Sequence, residues 1–127
     1  MDLKTTIIVL GILFIHWFAD FVLQTDEQAK GKSKNWLPLL EHTLAYSLCF
    51  YVAVPFWAMN SPDYVEWTGS LFVLITFVSH TITDYFTSRL NAKLWKDQRT
   101  HAFFVSVGFD QLLHFTQLLL TFYFLGL

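Results

Sequence analysis

The chain has 127 residues, of which 54% are hydrophobic, 19% aromatic and only 14% charged. That charge fraction lies well below the ~25% usual for a soluble domain, and fourteen Phe, five Trp and five Tyr are more than so small a core can hide. An ordinary soluble globule and a disordered chain are excluded, a single cysteine (Cys49) excludes an intrachain disulfide scaffold, and a net charge of −2 argues against nucleic-acid binding. A membrane protein remains.

About 20 apolar residues are needed to cross the hydrocarbon core as a helix, and residues 5–23 supply the first such span, interrupted only by His16 and Asp20. It does not read as a cleaved signal, being too long for an apolar signal core and lacking a small-x-small site. A loop over 24–36 follows, with Lys30, Lys32 and Lys34. Residues 37–59 form the second span, with Pro38 harmless in its first turn and Pro55 expected to kink or end it. The next loop, 60–65, carries no cation.

The third span covers 66–88, and a second basic loop adds Arg89, Lys93, Lys96 and Arg99. Within that loop Leu90, Leu94 and Trp95 fit either a short interfacial helix or an irregular segment. Residues 102–127 make the fourth span. The expected fold is therefore all-α, a polytopic bundle of four transmembrane helices forming one domain over 1–127. Seven of the eight cations fall in the two basic loops and only Lys4 on the other side. The positive-inside rule then places both loops in the cytoplasm and both termini outside, in a multi-pass membrane protein. Trp36, Trp57, Trp67 and Trp95 lie near span ends, as interface aromatics do.

The polar residues inside the spans repeat. His16-x3-Asp20 precedes a basic loop and a span with His42; His80-x3-Asp84 precedes a basic loop and a span with His114. Two helical hairpins in the same orientation, a 2+2 repeat, fit this pattern. Four residues advance a helix by about 400°, so His16, Asp20 and Gln24 are expected on one stripe. His42 with Tyr46, His80 with Asp84, and Asp110 with His114 share the same spacing.

Ionisable side chains inside a bilayer cost roughly 2.5–3.5 kcal/mol each, so a set this large needs a reason. Three readings compete: a metal site, a proton or ion path, and hydrogen-bonded glue between helices. Glue is made more cheaply from Ser, Thr or Asn than from carboxylates, which favours a functional site. Nitrogen and oxygen ligands without thiolate suit a divalent zinc, iron or manganese ion; bis-histidine haem fits the neighbouring carboxylates poorly. His101 reads as a surface histidine and Glu41 as solvated at a span end.

Together, His16-x3-Asp20-Phe21-x2-Gln24, His42-x3-Tyr46, His80-x3-Asp84 and Asp110-Gln111-x2-His114 resemble a family of small bacterial and phage membrane proteins known as domain of unknown function 3307. The resemblance covers nearly the whole chain. It implies an integral membrane protein with these positions in one site, and it supplies no activity. A more distant similarity is to membrane-bound metal-dependent hydrolases, although the His-Arg-x2-Thr-His-Ser stretch associated with them is absent here.

The leading expectation is a membrane-embedded metal-binding protein, with a metal-dependent hydrolase acting on a lipid-phase or phosphate-bearing substrate as its narrower form. His16, His42, His80, Asp84, Asp110 and His114 are the candidate ligands. Asp20 is the candidate general base or orienting partner, and Gln24, Tyr46 and Gln111 the substrate-positioning residues. The alternatives are a small ion- or proton-coupled transporter or channel subunit, and a non-catalytic membrane interaction factor of bacterial or phage origin. Expected partners are the bilayer and either a second copy or another membrane protein, with no nucleic acid.

Overall fold

A computed structural model describes residues 2–60 and 66–127, all helix and connecting turns. The helices are α1 (Leu3–Trp17), continued by a π-helical turn (Phe18–Val22), α2 (Asp26–Gly31), α3 (Trp36–Leu48), α4 (Val54–Asn60), α5 (Glu66–Lys96) and α6 (Thr100–Phe124). The cation-free loop expected at 60–65 lies, from 61 onward, outside the described residues.

The bundle is built inside out. Among the described residues the buried set holds fourteen polar or charged side chains against twelve apolar ones, while large apolar side chains cover the outside. The long helix α5 shows how. Every fourth residue from Thr68 through Phe72, Thr76, His80 and Asp84 to Ser88 is buried. Leu74, Val78, Ile82, Phe86 and Leu90, stepped along the opposite side, are exposed. Residues four apart form one row on a helix, so a single row carries the interior and another carries the outer surface. The rows Ile8, Ile12 and His16 of α1, and Ser106, Asp110, His114 and Leu118 of α6, do the same.

Among the described residues three runs are long and apolar enough to cross a membrane: Leu3–Val22, Trp36–Met59 and Thr100–Phe124. By length and composition that is one fewer than the expected four. Residues 66–88 are helical, but α5 spends its buried row on Thr, His, Asp and Ser, and its overall composition falls short although its exposed row is apolar. Nor does α5 stop at Ser88. It runs two turns further to Lys96, so Leu90, Leu94 and Trp95 continue a long helix rather than forming a separate element or an irregular loop.

Two further differences are local. The first span is not a uniform α-helix: the amide of Leu23 bonds the carbonyl of Phe18 five residues back (3.0 Å), and the helix ends at Val22. Gln24 therefore lies beyond the helix and not on a stripe with His16 and Asp20. The second span breaks at a 3-10 turn over Cys49–Val52, and Pro55 then sits in the first turn of α4, where its missing N–H costs nothing.

That break turns Trp57 inward. It is 1% exposed, with its ring 4.9 Å from Phe72 and 6.0 Å from Phe122, so it is a core residue and not an interface aromatic. Trp36, Trp67 and Trp95 are exposed. Trp57 joins Ile8, Ile12, Phe50, Phe72, Leu118 and Phe122 in the apolar half of the interior. The basic loop is also more structured than a coil: Thr25 and Gln28 cap α2 reciprocally, and a Cβ on Gly31 would lie 2.8 Å from the Pro38 ring. Gly31 thus lets α2 close against α3, which fixes where Lys32 points.

Trp57→Ala should cost about 3 kcal/mol through the cavity it leaves in this apolar half. Thermal unfolding in detergent should show a clearly lowered midpoint for it and almost no change for Trp67→Ala.

Candidate metal centre

All four long helical segments deliver ionisable side chains to one level of the bundle. The first contributes His16 and Asp20, α3 His42, α5 His80 and Asp84, and α6 Asp110 and His114, all of them buried. Two groups of potential ligand atoms form there. Asp20, His42, His80 and Asp84 make one, and Asp84, Asp110 and His114 the other, so Asp84 belongs to both.

The spacings could accommodate a coordination shell. Two ligands held at 2.0–2.1 Å by one tetrahedral ion stand about 3.3 Å apart. In the first group His42 Nε2 lies 3.1 Å from Asp20 Oδ1, 3.3 Å from His80 Nε2 and 3.4 Å from Asp84 Oδ2. His80 Nε2 lies 3.5 Å from both Asp20 Oδ1 and Asp84 Oδ1. In the second, His114 Nε2 is 3.2 Å from Asp84 Oδ1 and 3.3 Å from Asp110 Oδ1. Three imidazoles point the same ring nitrogen at shared carboxylates. Corresponding pairs also recur in the two halves of the chain, Asp20 with His42 and Asp84 with His114.

A ring of neutral partners orients these groups. Gln111 donates its amide N–H to Asp20 and Asp110 (3.2 Å each), which leaves its carbonyl oxygen to accept from His16 Nε2 at 2.7 Å. The proton on Nε2 makes Nδ1 of the neutral His16 an acceptor, and the Tyr46 hydroxyl donates to it at 2.6 Å. Both nitrogens of His16 are thereby engaged. Thr87 donates to Asp110 at 2.6 Å. The His80 ring is stacked between Tyr46 (3.8 Å) and His114 (4.1 Å). Its Nδ1 has no partner among the described residues, so its orientation rests on this packing and on the contacts of Nε2.

The cluster reaches the basic loop through Lys32, whose ammonium donates to Asp84 Oδ2 at 2.8 Å. Burial opposes that charge, but the Asp84 and Asp20 carboxylates outweigh it and hold the lysine above its ordinary pKa range. Three carboxylates and one ammonium leave a formal charge of −2 in a buried space. Such a charge demands compensation, because isolated ions are expensive away from water.

Set against the sequence expectations, His42, His80, Asp84, Asp110 and His114 come together as potential ligands. Asp20 stands among them and not behind them. His16 falls in neither ligand group and is occupied by Tyr46 and Gln111. Those two residues, expected to touch substrate, bind other members of the cluster. Gln24 lies apart, at a cavity beside α2. Glu41 and His101 are exposed, as expected. Lys32 and Thr87 were missed. In the sequence Lys32 signals only topology, and Thr87 sits three residues after Asp84, off the four-residue rhythm.

Residues 8–126 match the model of the family described as Protein of unknown function (DUF3307). The chain belongs to the DUF3307 family. Neither the curated proteins nor the solved structures contain a match to it. In this DUF3307 member the four motif-bearing segments are the ones whose side chains meet in the cluster, so the family match spans the complete site.

Tyr46→Phe should leave His16 Nδ1 buried without its donor, at a cost of about 1–3 kcal/mol. A lowered unfolding midpoint measured in detergent, restored by no change of ionic strength, is the expected outcome.

Proposed function

We propose that this protein is a membrane-embedded metalloprotein whose centre hydrolyses a phosphate-bearing substrate drawn from the lipid phase. The observation that carries the reading is the convergence of six buried His and Asp side chains from four helical segments, their donor atoms at 3.1–3.5 Å, with Asp84 common to both groups. One divalent cation balances the formal −2. It does so without charging His80 beside either neighbour, which would set N–H against N–H at 3.3 Å with His42 or stack two cations at 4.1 Å with His114. Nitrogen and oxygen donors without sulfur suit zinc, iron or manganese.

A bound ion of this kind supplies a water acidified toward neutral pH. The chain's own residues do the rest. Asp20, a member of the first ligand group, would serve as the proton acceptor beside the ion. Gln111 and Tyr46 hold His16 and the Asp20–Asp110 pair in place. Lys32 brings a positive charge to the side that faces the basic loops.

The outward apolar row of α5 supports it as a fourth membrane crossing, its polar row being shielded by the other three. With the two basic loops in the cytoplasm, both termini lie outside, in a bacterial cytoplasmic membrane. The recurrence of Asp20–His42 and Asp84–His114 supports a 2+2 arrangement of hairpins.

One observation favours a proton- or ion-coupled reading: Gln117 extends the polar interior past His114 by donating to Thr76 (3.4 Å) and Thr121 (3.0 Å). Beyond them lie Phe72, Trp57 and Phe122, which close the interior with packed rings.

Protein purified in detergent should carry a stoichiometric divalent metal by elemental analysis. Asp84→Asn should abolish it, since that carboxylate serves both groups, whereas His16→Gln should retain it. A stably folded wild-type protein free of metal after reconstitution with zinc, iron and manganese would overturn the proposal.

A further inference from the structure

Beside the cluster, between α2, the C-terminal turns of α5 and the start of α6, lies a cavity of about 670 Å³. Its chemistry is mixed in a specific way. Lys30, Lys32 and Lys34 line it from the basic loop, and Trp95 and Phe104 line it from the helices. Gln24, Ser88 and Asn91 line it as well, and the side-chain oxygen of each is buried without a partner among the described residues. Ser88 is 9% exposed, at the end of the same buried row that carries His80 and Asp84.

Buried polar atoms are normally bonded, and these three oxygens all accept hydrogen bonds, so they call for a ligand that brings donors. Lys34, with Lys30 at 4.0 Å from Asp26, calls for an anion, while the Lys32 charge is already set against Asp84. Trp95 and Phe104 are more than half exposed on the outer surface of the bundle and offer an apolar exit from the cavity. Hydroxyl donors, a negative charge and an apolar chain in one molecule describe an amphiphile.

We infer that this cavity binds the headgroup of an anionic phospholipid that carries free hydroxyls, with its phosphate toward the lysines, its hydroxyls on Gln24, Ser88 and Asn91, and its chains leaving over Trp95 and Phe104. The inference rests on the membrane part of the function proposed above and not on its metal part. It also gives Lys32 a second role. Its side chain lines the cavity while its ammonium holds Asp84, so the headgroup lies one residue from the centre.

The test is calorimetric titration of the purified protein with short-chain phosphatidylglycerol below its micellar concentration, against short-chain phosphatidylcholine and inorganic phosphate, with metal content measured on every sample. Phosphatidylglycerol should bind at least tenfold more tightly than either comparator. Asn91→Leu, or Ser88→Val where the first variant does not fold, should weaken it about tenfold with metal content unchanged. Equal binding of phosphatidylcholine, equal binding of inorganic phosphate, or folded variants with undiminished affinity would each overturn the inference. Selective lipid binding by a metal-free protein would uphold it while removing the metal reading; metal without selective lipid binding would do the reverse.

Discussion

The Asp84 carboxylate is the group on which the interior depends. One oxygen faces His80 and His114, the other faces His42 and accepts from Lys32. It therefore ties α3, α5, α6 and the basic loop to one point, and through His42 it reaches Asp20 on the first helix. In water such an arrangement would add little. Within a bundle whose exterior is Leu, Val, Ile and Phe, the alternative to mutual satisfaction is an unpaired charge in a medium that solvates it poorly. Helix positions are thus selected by polar contacts, and the apolar residues are free to face outward.

This inversion explains the distribution of chemistry along each helix. A soluble bundle places its apolar row inside; here the inner rows of α5 and α6 carry Thr, His, Asp and Ser, and only the far half of the interior, around Phe50, Trp57, Phe72 and Phe122, is packed as an ordinary core. The two halves divide the work. Packed rings hold the bundle together at one end, and the polar half gathers the candidate ligands next to the lysine-lined cavity.

Much of the site was legible because it follows the helical repeat. His16 and Asp20, His80 and Asp84, and Asp110 and His114 are each four apart, and that spacing alone places each pair on one face. What was not legible depends on departures from the repeat or on distance in sequence. The π-helical turn at Phe18–Val22 takes Gln24 off the stripe, and nothing in the residues of that turn announces it. Trp57 reads as an interface aromatic until the break at Cys49–Val52 rotates it inward. Lys32 reaches Asp84 across 52 residues because Gly31 lets α2 close on Pro38, a contact that composition does not reveal. The third span was legible as a helix, but its apolar length overstated its hydropathy, because the buried row of α5 is mostly Thr, His, Asp and Ser.

The central claim is that histidines and carboxylates from different helices share an ion. X-ray absorption at the zinc edge of zinc-loaded protein in detergent tests it most directly. The account predicts a first shell of nitrogen and oxygen at about 2.0–2.1 Å with the outer-shell scattering of imidazole rings and no sulfur. A shell of water-like oxygens without imidazole scattering, or one containing sulfur at about 2.3 Å, would contradict it.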